Sequence, residues 1–152
     1  GKDFDNAAKA HEIIMNGSIA NSLMNYYQTD NSNLHPFTVK RIEAGIPVSA
    51  SDYVSAIEQA KKMEQILKQF FKKYDAIITP SAPGQAPRDL MNTGNAIFNG
   101  YWTMMGVPAI SLPFLKGRDN LPIGIQFIAN WNDDLKLLEI CKEVLKKEKL
   151  AD

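Results

Sequence analysis

The sequence predicts an α/β fold, a mixed β-sheet covered by α-helices. Three short apolar runs, Ala76–Thr79, Ala109–Leu112 and Ile123–Phe127, are each bounded by Pro or Gly and read as strands of one sheet. The segments around them repeat apolar residues at helical spacing instead. A chain of 152 residues suits a single domain, with residues 1–48 as a helical lead-in and residues 49–148 as the sheet-forming core.

The first helix is expected from Asn6 to about Tyr27, with Ile13, Ile14, Ala20, Leu23, Met24 and Tyr27 near a 3.6-residue period. Gly17 weakens it by about 1 kcal/mol relative to alanine and marks a close approach or a kink. Gln28–His35 is a polar, turn-rich loop. Pro36 suits the first position of a short helix and Gly45 its end, with Phe37, Val39 and Ile42 facing inward.

Ser49 opens the longest amphipathic stretch as an N-cap, and Asp52 three residues on resembles a capping box with aspartate in place of glutamate. Tyr53, Ile57, Ala60, Met63 or Ile66, Leu67, Phe70 and Tyr74 form its apolar stripe. Glu58, Lys61, Lys62, Glu64 and Lys68 form a solvated face, and Lys72 and Lys73 complement the negative helix end.

Asp75 ends that helix and Ala76–Thr79 follows, apolar without alternation, as a strand covered on both faces would be. Pro80 stops it. The loop Ser81–Arg88 carries Pro83, Gly84 and Pro87 and is expected to be ordered. A further helix is expected from Asn92 or Thr93 to Met105, through Ile97, Phe98, Tyr101 and Trp102. Gly106 closes it and Pro108 prevents its continuation.

Ala109–Leu112 is the second strand, Lys116–Asn120 a polar turn, and Ile123–Phe127 the third strand. The short connection favours antiparallel pairing of the last two. The first two, joined through a helix, are expected to be parallel, which makes the sheet mixed. Asn132 is the expected N-cap of the last helix, with Asp133 and Asp134 at its positive end. Leu135, Leu138, Cys141 and Leu145 form its stripe, widened by Leu137 and Val144, and Lys146, Lys147 and Lys149 crowd its end.

Composition narrows the function. Lysine plus arginine equals aspartate plus glutamate at 17 each, so the net charge is zero. Neither nucleic acid nor an anionic membrane surface would attract such a chain overall. No apolar run approaches the ~20 residues a membrane helix needs. The opening GKDFDNAAKAHE is charged and polar and shows no secretory signal. It lacks an initiator methionine, so a processed or truncated chain is expected. One cysteine, Cys141, excludes an intrachain disulfide and suits a reducing cytoplasm. It reads as a small core residue.

Four pieces carry a resemblance. SASDYVSA from Ser49 leads a helix through FFKKYDAIITPSAPGQAP from Phe70, then GVPAISLP from Gly106, then LPIGIQFIA from Leu121 before a closing helix. In this order and spacing they resemble the C-terminal part of the amidase signature family, over Ser49–Leu145. The resemblance implies a mixed sheet wrapped by helices. It also implies hydrolysis of small-molecule amides, without a cofactor, by a Ser–cis-Ser–Lys triad. Serine needs a base, and the tetrahedral intermediate needs preorganised donors.

The triad lies in the family's N-terminal half, and this chain has no Gly-Gly-Ser-Ser-Gly-type segment. Its nearest approximation, Asn16–Ser22, falls inside a helical pattern, so no catalytic residue carries over. The chain is therefore expected to be an inert C-terminal part whose partner is the missing N-terminal half, with self-association when that half is absent. The alternatives are the amidase component of an aminoacyl-tRNA amidotransferase and a non-catalytic interaction module.

Ser81 sits at a strand end, where open α/β sheets commonly contact ligands. Trp102 and Thr103 end a helix beside the second strand. The resemblance places all three in the substrate pocket; a turn-capping Ser81 and a core Trp102 are the structural alternatives. Many members carry asparagine where Thr103 stands, and some amidases share the Trp-Thr pair. His11 and His35 have no metal-ligand spacing to Cys, Asp or Glu, so no metal site is expected.

Overall fold

The computed structural model describes residues 4 and 6–148. Its elements are α1 (Ala7–Thr29), α2 (Pro36–Gly45), α3 (Ala50–Phe70), β1 (Ile77–Pro80), α4 (Gly100–Met105), β2 (Ala109–Lys116), β3 (Pro122–Ile128) and α5 (Asp134–Glu148). Lys149, expected in the last helix, lies outside the described residues. The chain divides into two units, Gly1–Met63 and Glu64–Asp152. No helix among the described residues is long and apolar enough to cross a membrane.

In the first unit α1 buries small residues, Ala7, Ala10, Asn16 and Ala20, rather than the larger stripe its spacing predicts. The reason lies at Gly45, where a Cβ would strike the Asn16 carbonyl and the Ala20 methyl. Backbone closeness replaces side-chain bulk there. The buried Asn16 amide oxygen accepts from Arg41 Nη1 at 3.1 Å, which satisfies it. Gly17 marks a close approach, with the Tyr53 ring 3.0 Å from where its Cβ would be.

Pro36 opens α2 and the His35 imidazole caps it, Nδ1 accepting from the Phe37 N–H at 3.2 Å. Ile42 is fully buried as expected, whereas Phe37 is exposed, its ring under the Arg41 guanidinium. Ser49 Oγ accepts from the Asp52 N–H at 3.0 Å and donates to its carboxylate at 2.6 Å. The shorter aspartate thus returns to the cap hydroxyl instead of the cap N–H. In α3, Ala56, Ala60, Met63 and Leu67 are the buried positions, and Ile66 is outside the stripe.

The second unit holds a three-stranded sheet in the order β1-β3-β2. The expected antiparallel pairing of the second and third strands is found. β1 and β2 run in the same direction, yet they do not pair. The tight turn returns β3 beside β2, and β1 takes the other edge of β3, also antiparallel. Both ladders are therefore antiparallel, where a mixed sheet was expected.

Register sorts the side chains. Ile110, Leu112, Ile125, Phe127 and Ala129 pack with Leu137 and Cys141 of α5. The α5 stripe is turned from the expected one: Leu137 and Cys141 are buried, while Leu135 is 78% and Leu138 56% exposed. The Asp133 carbonyl takes the Leu137 N–H at 2.9 Å, so the cap falls one residue after Asn132, which sits in a left-handed turn at φ 63°. Burial raises the Cys141 thiol above its usual range, in keeping with a core role. β1 is not covered on both faces: Ile78 is 61% exposed, because α5 packs over β2 and β3.

Candidate functional site

The opposite sheet face is polar. Thr79, Gln126 and Ser111 stand opposite one another across the three strands. Gln126 is 3% exposed, in the middle of an otherwise apolar strand. Its Nε2 donates to Thr79 Oγ1 (2.9 Å), the Pro80 carbonyl (3.0 Å) and the Phe98 carbonyl (2.8 Å). One amide thereby fixes the end of β1 and the turn that leads into α4.

Ser81 continues the ladder past Pro80, its N–H reaching the Gly124 carbonyl at 2.9 Å. Its hydroxyl meets that of Ser111 at 2.6 Å. Gly124 leaves the room for this: a Cβ there would collide with both hydroxyl oxygens.

α4 is shorter than its spacing predicts. Asn92 and Asn95 turn their side-chain oxygens onto the Gly94 and Ile97 N–H groups, both at 2.9 Å, and Gly94 takes φ +85°. These local bonds compete with the helix and hold residues 92–96 out of it. Gly106, at φ 65°, ends α4 as the sequence indicates. Thr103 Oγ1 donates to the Asn99 carbonyl at 3.1 Å. Trp102 Nε1 is buried with no hydrogen-bond partner among the described residues.

The loop before α4 is pinned to the β2–β3 turn. Arg88 Nη2 lies 2.6 Å from Asp119 Oδ1, Gln85 Nε2 donates to Oδ2, and the Asp119 N–H returns to Gln85 Oε1 at 3.1 Å. The Arg88 and Gln85 bonds hold the Asp119 carboxyl below the usual carboxylate range.

The end of β1, α4, β2 and β3 border an open cleft of about 410 Å³. Ser81, Trp102 and Thr103, the residues singled out from the sequence, all line it. Asn99, Ser111 and Gln126 join them, over an apolar floor of Val107 and Ala109. Sequence reasoning passed over Ser111 and Gln126, although each is a lone polar residue inside an apolar strand run.

No ionisable side chain is among the lining residues, so the cleft offers hydrogen bonds but no general base. Ser18 and Ser22 stand on the uninterrupted helix α1, and Ser18 Oγ is 3.0 Å from the Tyr53 hydroxyl. No group of His, Cys, Asp and Glu among the described residues could hold a metal ion.

A family model described as Amidase matches residues 3–138. The chain is 34% identical over 125 residues to a glutamyl-tRNA(Gln) amidotransferase subunit of Aliarcobacter butzleri, covering 75% of this chain and 28% of that protein. It is 33% identical over 112 residues to the protein of the same name from Alkaliphilus metalliredigens, covering 66% of this chain and 23% of the relative. The chain thus spans less than a third of the curated relatives it matches. Among solved structures, an amidase crystal structure superposes with a TM-score of 0.78 at 19% identity, over 90% of this chain and 34% of the other.

Proposed function

The chain belongs to the amidase signature family, and from that premise we propose that it supplies part of the sheet and one wall of the substrate pocket of an amidase acting on the C–N bond of a small amide. The observation that carries this reading is the convergence of Ser81, Trp102 and Thr103 on one cleft. In this reading they contact substrate, residues 1–48 are a helical lead-in, and residues 49–148 are the sheet-forming core of one domain.

The nucleophile and its base come from elsewhere in the parent protein. The cleft has no basic group, and the sequence has no Gly/Ser-rich segment able to form a nucleophile loop. By itself the chain is inert, and its partner is the N-terminal half that carries the family's triad. Left uncovered, faces such as that around Ile78 favour self-association. The lone buried cysteine suits a cytoplasmic setting.

A second reading, the amidase component of an aminoacyl-tRNA amidotransferase, is favoured by the names of the two curated relatives. The balanced charge lends no support to direct tRNA contact by this chain.

Treatment with a fluorophosphonate serine probe, read by mass spectrometry, tests the proposal. No adduct is expected. A stoichiometric adduct on Ser18, Ser22 or Ser81 would show an activated nucleophile in this chain and overturn the reading of an inert wall.

A further inference from the structure

The apolar stripe of α5 does not all turn inward. Leu137 and Cys141 are buried, but Leu135 and Leu138 are exposed. Beside them α5 and β2 leave two apolar hollows, of about 450 Å³ and about 340 Å³, which share Ile110 and Leu138. One runs past Leu112 to Lys142, the other past Pro108 to Asp134. They make one trough with an apolar middle at Ile110 and Leu138, a basic end and an acidic end.

β2, which forms one side of that trough, is an edge strand. The Ala129 N–H bonds to the Pro108 carbonyl. By the alternation of an antiparallel ladder, Ile110 and Leu112 then turn their backbone groups to β3, and Ala109 and Ser111 turn theirs outward. Pro113, next in the outward set, has no N–H to give. An added strand is therefore held at Ala109 and Ser111. A second β2, run antiparallel, pairs its Ser111 with Ala109 and its Ala109 with Ser111. Each pair exchanges both N–H···O bonds, and Ile110 meets itself on the axis.

The helix obeys the same axis. Asp134 and Lys142 each stand four positions from Leu138, about 6 Å along the helix on either side. A two-fold through Leu138 lays Asp134 of each copy against Lys142 of the other. The salt bridges of α5 engage Lys136 with Asp75 and Lys146 with Glu143, so Asp134 and Lys142 keep their charges for an outside partner. A net charge of zero sets no overall repulsion against the pairing.

We propose that the β2 edge and the outer face of α5 form an isologous interface with a second copy of this chain, about one two-fold axis at Ile110 and Leu138. The proposal rests on the self-association that the pocket-wall reading carries, and gives that association a face and a symmetry.

Sedimentation equilibrium of the full chain over a wide concentration range tests it, with circular dichroism to show that each variant is folded. A monomer–dimer equilibrium is expected. Leu138→Glu, at an exposed position, is expected to raise the dimer Kd about tenfold or more by setting two carboxylates against each other on the axis. Lys142→Glu is expected to raise it about tenfold. Asp134→Lys combined with Lys142→Glu is expected to return it to within about threefold of the original, since the exchanged charges still meet across the axis. A chain that stays monomeric overturns the proposal and leaves the face to the N-terminal half. Assembly beyond the dimer overturns the closed two-fold. A dimer indifferent to Leu138→Glu, or no rescue in the double variant, overturns this face as the seat of association. None of these results touches the pocket-wall reading, which stands or falls on the serine-probe experiment.

Discussion

The Ser81 and Ser111 hydroxyls meet at 2.6 Å although thirty positions separate them in the chain. What joins them is an absence: both occupy the space a side chain on Gly124 would need. The pair reports on the sheet register as well as on the cleft, since slipping any strand by one residue would turn its hydroxyl to the other face.

Gly124→Ala should therefore force the two hydroxyls apart and destabilise the chain by about 1–3 kcal/mol. In a Ser81→Ala, Ser111→Ala background the same change should cost less than half as much, because the colliding oxygens are gone. Urea unfolding of the variants as a cycle measures this. Simple additivity of the three substitutions would contradict the packing described.

Gln126→Leu keeps the volume but strips a donor from three oxygens. These bonds are half-buried and the Pro80 carbonyl keeps the Thr79 hydroxyl as a donor, so the loss costs about 1–3 kcal/mol in all. Gln126→Glu should be worse near neutral pH, since a carboxylate would face the Pro80 and Phe98 carbonyls, and it should recover as acid protonates it. Denaturant midpoints across pH read both effects; a Gln126→Leu chain as stable as the original would remove Gln126 from its bridging role.

His11 gives the first unit a pH response. Burial, and next the Arg41 charge, hold its imidazole below the ordinary 6.5, with Glu12 pulling the other way. The unfolded chain then takes up the proton more readily than the folded one. Stability present above that range is lost as pH falls below it. Thermal midpoints should fall on acidification from about pH 7.5 to 5, and His11→Gln should flatten the fall. Equal slopes for the two proteins would exclude His11 as the source.

The parts of the fold legible in the sequence are those whose chemistry is local. Pro36 and Gly45 bound a helix, Ser49 and Asp52 cap another, and Gly106 ends a third within a few residues of its own position. Facts that depend on distant partners were not legible. The place of β3 between β1 and β2 depends on which free edge β1 meets, and nothing in Ala76–Thr79 encodes that. The small-residue face of α1 follows from Gly45, far along the chain. The α4 spacing was genuine, but Asn92, Gly94 and Asn95 offered the backbone a competing set of bonds. In the cleft, Ser81, Trp102 and Thr103 could be reached from the family resemblance, whereas Ser111 and Gln126 emerge only once the register across the strands is known.

The bond set of Gln85, Arg88 and Asp119 works as a clasp. Between it and α4 the chain presents Leu90 at 98% and Met91 at 85% exposure, an accessible site for a protease. A nick there would leave the clasp and the β1–β3 ladder each spanning the cut, with Arg88 and β1 on one fragment bonded to Asp119 and β3 on the other. The severed chain should elute as one particle and separate only under denaturant. The interval from Asp89 to Ala96 is thus a natural seam, a place where the protein could be rebuilt from two genes or opened to receive an inserted segment.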